Sequence, residues 1–174
     1  MILIALGANL PSENHGPPRE TLMAALDRLA RLGVHTRVRS SWYESAPVPP
    51  SGQPWFVNAV AAVDTARDPA ALLRALHEVE AALGRQRGVR NAARAVDLDL
   101  LDYAGQCSAA ADWPCLPHPR LAERAFVLRP LAEVAPDWRH PVSGYGVNAL
   151  IADLPPDQVC RRAETACAAD CRPT

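Results

Sequence analysis

Val96-Asp97-Leu98-Asp99-Leu100-Leu101-Asp102-Tyr103 opens with alternating apolar and acidic side chains, the period of a strand with one face in a core and the other in water. Side chains two apart share a face of a strand, so Asp97 and Asp99 point together while Val96, Leu98 and Leu100 point into the core. Their Cα atoms then lie roughly 6.5 Å apart, close enough for both carboxylates to converge on one or two magnesium ions. Without a cation the pair repels, by roughly 1 kcal/mol at about 4 Å in water and several times that where solvent is depleted. A solvated acidic face has the same pattern, so the strand by itself leaves both readings open.

Immediately upstream stand Arg85, Arg87, Arg90 and Arg94. Arginines after a helix commonly compensate its dipole. Beside paired carboxylates they become the parts of phosphoryl-type transfer, where catalysis is positioning and charge neutralisation. The preceding helix is the clearest in the chain. Asp68 is placed as its N-cap and Pro69 as its first residue, Leu72, Leu76, Val79 and Leu83 form one stripe, and Gly84 closes it. Trp55 to Val63 reads as a strand. Glu44 to Pro54, with Pro47, Pro49, Pro50, Gly52 and Pro54, reads as a semi-rigid loop. Val34 to Tyr43 alternates as a half-exposed strand, Thr21 to Leu32 as a helix ended by Gly33, and Ile2 to Leu6 as a buried strand.

The order strand, helix, strand, strand, helix, strand is that of the ferredoxin-like βαββαβ unit, an α+β fold with helices on an antiparallel sheet. Leu116 to Pro136 reads as a loop and short helices packed on that core, the start of a C-terminal extension. One domain is expected over residues 1–152, with 153–174 a flexible tail.

Composition narrows the chemistry. The chain has 174 residues and a formal charge of −1, which gives no bulk attraction to nucleic acid or anionic membrane. All 18 basic residues are arginine. Schiff-base lysines, the phosphate-loop lysine and the protein-kinase lysine are therefore excluded, and any phosphate must be held by guanidinium forks, backbone amides or metal. The cysteines, Cys107, Cys115, Cys160, Cys167 and Cys171, form no C-x-x-C pair and no disulfide framework. Met1 to Leu6 is too short for a membrane span and lacks a basic leader, so a reduced, cytoplasmic protein is expected. No Ser-His-Asp or Cys-His arrangement supports a covalent intermediate. Phe56 and Phe126, the only phenylalanines, with Asn58 on the strand face of Phe56, are able to sandwich a flat heterocycle and read its edge, although core packing is the commoner use of phenylalanine.

Four runs occur in order: Ala5-Leu6-Gly7-Ala8-Asn9-Leu10; Ser45-Ala46-Pro47 through Gln53-Pro54 to Asn58; Arg94-Ala95-Val96-Asp97-Leu98-Asp99-Leu100; and Pro117-His118-Pro119-Arg120 through Arg124-Ala125-Phe126-Val127-Leu128. Together they resemble 6-hydroxymethyl-7,8-dihydropterin pyrophosphokinase of folate biosynthesis, from about Ile2 to Trp138. The resemblance implies transfer of the β,γ-pyrophosphoryl group of ATP to the pterin hydroxymethyl oxygen, releasing AMP. It implies Asp97 and Asp99 as ligands of two Mg2+ ions, and Arg85 and Arg94 neutralising the migrating group. His77, Glu80, Arg87, Arg90, His118 and Arg124 would attend ATP, and Ser45, Val48, Phe56, Asn58 and Phe126 the pterin. With no synthase or aldolase domain attached, a monofunctional and monomeric enzyme is expected, with ATP and a pterin alcohol as small-molecule partners and no nucleic acid or membrane. The chain departs from the common pattern at Ala46, Pro49 and His77, and Arg90-Asn91-Ala92-Ala93-Arg94 replaces the usual Arg-Trp-Gly-Pro-Arg. Two other classes fit parts of the pattern. A different two-carboxylate enzyme, such as a nucleotidyltransferase or phosphohydrolase, would use the same acids, and a non-catalytic nucleotide- or RNA-binding module would use the same fold. The latter would need exposed aromatics and a basic face that this composition does not supply.

Overall fold

The structure, a computed structural model, describes residues 1–85, 93–109 and 112–164. Its centre is β1 (Ile2–Ala8), flanked by β4 (Phe56–Asp64) and β5 (Asp97–Tyr103), both antiparallel to it. The stretch expected as one strand from Val34 to Tyr43 is divided into β2 (His35–Arg39) and β3 (Tyr43–Ser45). Both lie along the same edge of β4, β2 on its end near Asp64 and β3 on its beginning near Phe56. The break has a visible cause: Ser40 Oγ accepts from Val60 N–H, so a side chain takes a ladder position between the two segments. With β2 and β3 counted as one split strand, the element order up to β5 is consistent with the expected βαββαβ unit, and the sheet reads β5-β1-β4-β3-β6.

The last strand, β6 (Cys160–Arg162), pairs with β3, and Ala163 N–H continues the contact to the Trp42 carbonyl. This part of the stretch expected as a tail is thus an edge strand. Its sequence concealed that, because three residues with two arginines carry no alternating apolar pattern; pairing with β3 supplies the order instead.

Helices α1 (Pro18–Arg31) and α2 (Pro69–Ala82) cover one face of the sheet. Asp68 caps α2 as expected, accepting from Ala71 N–H at 2.7 Å. Ile4, Leu6, Ala61, Val63, Leu98 and Leu100 point into this layer with Leu22, Leu29, Leu72 and Leu76. On the opposite face α3 (Ala125–Val134) and α4 (Val147–Ala152) cover Leu3, Val60, Ala62 and Leu101. The alternation of β5 breaks at a bulge opposite Leu3 and Ile4, so Leu101 and Asp102 are both drawn toward the α3 layer, where buried Asp102 accepts from Trp138 Nε1–H at 2.8 Å. α3 covers only part of this face. Beyond it, where Ala5 and Gly7 are the small residues of the central strand, the sheet is left open and forms the floor of a cleft.

Candidate active site

The register of three strands builds the cleft. Gly7 pairs with Asn58 on β4 and with Asp97 on β5; two residues back, Ala5 pairs with Val60 and Asp99. Strands sit about 4.8 Å apart, so Asn58 and Asp97 rise about 10 Å from each other on either side of a residue with no side chain. The gap is needed. A Cβ on Gly7 would stand 3.3 Å from Asn58 Oδ1 and 3.9 Å from Asp97 Cβ. The resulting cleft encloses about 700 Å³, ordinary for a small-molecule site.

At one wall lie the charged groups. Asp97 receives Arg85 Nη1 at 2.6 Å on one oxygen and Arg94 Nη1 at 2.8 Å on the other. Asp99 has a looser partner, Arg124 Nη1 at 3.7 Å. Glu80, buried on α2, ion-pairs with Arg85 and accepts from Leu98 N–H at 2.7 Å, so it ties the helix to the acidic strand. Burial pushes its carboxyl up to about 7; the Leu98 hydrogen bond and Arg85 oppose the shift without cancelling it. Burial also raises Asp97, and the neighbouring Asp99 charge adds to the rise while Arg94 and Arg85 restrain it. His118 is lowered by burial, against the pull of Asp99. Arg120 N–H donates to His118 Nδ1 at 3.1 Å, which leaves Nε2 as the protonated nitrogen of the neutral ring.

The other wall is apolar with a polar edge. Phe56 and Phe126 line it, Val48 borders it, and Asn58 Nδ2 donates to Ser45 Oγ at 2.9 Å, which fixes the amide. Asn58 Oδ1 is thereby turned toward the floor beside Gly7.

The cleft thus brings together Ser45, Val48, Phe56, Asn58, Arg94, Asp97, Asp99, Arg124 and Phe126 from the sequence reading. Glu80, Arg85 and His118 stand behind this lining, in contact or electrostatic reach of Asp97 or Asp99. His77 lies about one turn before Glu80 on α2, half-buried, and is not among the residues that line the cleft. Arg87, Arg90 and Asn91 lie outside the described residues.

Several contributors were missed in the sequence. Asn9, buried, donates to Gln53 Oε1 at 3.2 Å and to the Pro54 carbonyl at 3.1 Å, and accepts from Arg94 N–H at 2.8 Å, clasping the proline-rich loop to the arginine that meets Asp97. Its motif was visible, but the partners lie 44 and 85 residues away. Asp153, Leu154, Pro155 and Gln158 close one rim from the stretch expected as a tail.

Paired acids and arginines beside a ring-lined recess, on an antiparallel α+β scaffold, describe a transferase acting on phosphate groups. Residues 3–136 match the model of the family described as 7,8-dihydro-6-hydroxymethylpterin-pyrophosphokinase (HPPK), and the chain belongs to that family. A 2-amino-4-hydroxy-6-hydroxymethyldihydropteridine pyrophosphokinase of Pseudomonas aeruginosa is 43% identical over 157 residues, covering 88% of this chain and 91% of the relative. Its counterpart in Methylorubrum extorquens is 38% identical over 159 residues, covering 91% and 96%. Among solved structures, a Plasmodium falciparum HPPK-DHPS mutant superposes with a TM-score of 0.65 at 13% identity, over 87% of this chain and 43% of that one. That likeness concerns the fold, and this chain spans less than half of that larger protein.

Proposed function

We propose that this chain transfers the pyrophosphoryl group of ATP to the hydroxymethyl oxygen of 6-hydroxymethyl-7,8-dihydropterin, giving the pterin diphosphate and AMP for folate synthesis. The observation that carries the reading is the juxtaposition, in one cleft, of Asp97, Asp99, Arg94 and Arg124 with Phe56, Asn58 and Phe126. The relatives named as pyrophosphokinases support the same reaction over another two-carboxylate transfer.

In this reading the pterin lies between the two phenyl rings, with Asn58, held by Ser45, reading its polar edge and Val48 closing the loop side. The hydroxymethyl oxygen then faces the acidic wall. It attacks the β-phosphorus of ATP; the bond from that phosphorus to the α,β-bridging oxygen breaks, AMP leaves with that oxygen and its electron pair, and the hydroxyl proton passes to solvent. Arg94, Arg85 and Arg124 hold the anionic oxygens, where a fixed guanidinium costs no reorganisation during reaction. Glu80 keeps Arg85 aimed at Asp97, and His118 and Arg124 attend the nucleotide, with Arg87, Arg90 and His77 as further candidates.

Magnesium fits the donor set. Asp97 and Asp99 are hard oxygen ligands on one face, and among the described residues no group of three or more acids, histidines or cysteines forms a cage. Mg2+ is ordinarily bound this way, by one or two carboxylates with phosphate oxygens and water completing the shell. Bound there, two such ions would neutralise the β- and γ-phosphates and free the arginines now paired with Asp97. Among the described residues no helix is long and apolar enough to cross a membrane. We place the protein in the cytoplasm as a monomer, which sedimentation would check.

The test measures AMP released from ATP with and without the pterin alcohol, at varied magnesium. Pterin-dependent AMP is expected, with Asp97→Ala and Asp99→Ala folded by circular dichroism yet reduced at least about a thousandfold in turnover. Nucleotide consumption without pterin would replace the reading by a hydrolase or nucleotidyltransferase.

A further inference from the structure

We propose that Gln158 is a positioning residue for Arg124, acting from a segment that lies beyond the residues matched by the family model. Helix α3 has no side-chain cap of its own, since its N-cap is Arg124, whose side chain is turned to the cleft. Gln158 supplies the missing partner from 33 residues away. Its Oε1 accepts from Ala125 N–H at 2.8 Å, and its Nε2 donates to the Glu123 carbonyl at 2.7 Å.

These two backbone groups lie on either side of Arg124. One ends the 3-10 turn Leu121–Glu123, the other begins α3. A single planar amide therefore bolts both sides of the residue whose Nη1 stands 3.7 Å from Asp99 Oδ2 and whose guanidinium lies 5.5 Å from the Phe126 ring centre. The corner demands a donor and an acceptor at once, which carboxylate or alkyl side chains of similar length cannot provide. The amide is itself anchored. Val159 accepts from Ala46 N–H at 3.2 Å and Cys160 begins the strand paired with Ser45, so the stretch bearing Gln158 is fixed to β3 and the loop that follows it. Arg124 is thus aimed through a connection that runs from β3 and its following loop by way of Gln158.

This inference rests on the reading that the cleft takes ATP and the pterin, and the experiment separates the two. Wild type, Gln158→Leu, Gln158→Glu, Arg124→Ala and both double variants are compared for pterin-dependent AMP formation. Binding of a non-hydrolysable ATP analogue with magnesium is measured by calorimetry, below the melting temperature of every variant. Gln158→Glu retains the acceptor for Ala125 N–H and serves as the variant least disturbed in folding. With wild type active, Gln158→Leu is expected to lower kcat/KM by about ten- to a hundredfold, and Gln158→Glu by less. In the Arg124→Ala background neither substitution should change analogue affinity or kcat/KM more than about twofold, because the residue being aimed is gone. Unchanged kinetics in folded Gln158→Leu, or losses that add in full to those of Arg124→Ala, would overturn the positioning role while leaving the pyrophosphokinase reading in place. Absence of pterin-dependent AMP from wild type would remove both.

Discussion

Glu80 shows how a single buried group joins stability to the site. It sits under the acidic strand with its carboxyl raised from 4.5 to about 7, burial outweighing the Leu98 hydrogen bond and Arg85. Because the folded state holds this proton more tightly than the unfolded chain, its contribution to stability is full below pH 4.5. It is lost progressively as pH rises through about 7. The shift corresponds to about 3 kcal/mol across that window. Glu80→Gln keeps an acceptor for Leu98 N–H but does not titrate. In the ligand-free protein, urea unfolding from pH 4.5 to 8 should therefore show a falling component in wild type that is absent from the variant. Parallel curves for the two proteins would deny Glu80 its raised pKa.

At the scale of elements, the cleft exists because β1 carries small residues where its neighbours carry the polar ones that line it. Gly7 between Asn58 and Asp97, and Ala5 beside Asp99, leave a trough that any larger side chain would fill. Valine is a better strand former than glycine, so Gly7→Val should leave the fold standing. It should nonetheless lower kcat/KM by about tenfold or more, since its Cβ presses on Asn58 Oδ1. Circular dichroism with steady-state kinetics checks both halves, and a folded variant of normal efficiency would show that the trough is not the substrate path. The same strands show what was legible beforehand. Asp68-Pro69 and the Leu72, Leu76, Val79 stripe announced α2, and the alternation Val96 to Leu100 announced the shared face of Asp97 and Asp99, because those signals are local. The split of β2 from β3 depended on Ser40 reaching Val60, the bulge at Leu101 on its partner strand, and β6 on an edge supplied by β3. Asn9 and Gln158 escaped notice for the same reason: their bonding partners are distant in sequence and exist only once the sheet has formed.

For the whole molecule, the charge balance of the cleft dictates how its ligands assemble. Asp97 and Asp99, with Glu80 behind them, pair with Arg85, Arg94 and Arg124, so the arginines of the described wall are already engaged by acids. A triphosphate approaching it meets arginines already engaged by carboxylates, so nucleotide alone gains little beyond what it must displace. In the proposed reading divalent cations would reverse this: held by Asp97 and Asp99, they would release the guanidiniums and supply positive charge, which would make metal and nucleotide binding cooperative. Ligation at 100 times the dissociation constant stabilises a fold by about 2.7 kcal/mol, which for a chain of this size corresponds to a rise of about 5–10 °C in Tm. Magnesium with a non-hydrolysable ATP analogue should produce a shift of that order, whereas the analogue with chelator should give about 2 °C or less, and the pterin should add a further rise by completing the cleft. In Asp97→Ala and Asp99→Ala the magnesium-dependent part should vanish while any metal-free part persists or grows, because removing a carboxylate frees an arginine. An equal shift with and without magnesium in the wild-type protein would show that the nucleotide is held by arginines alone, and the two acids would then have to be assigned another use.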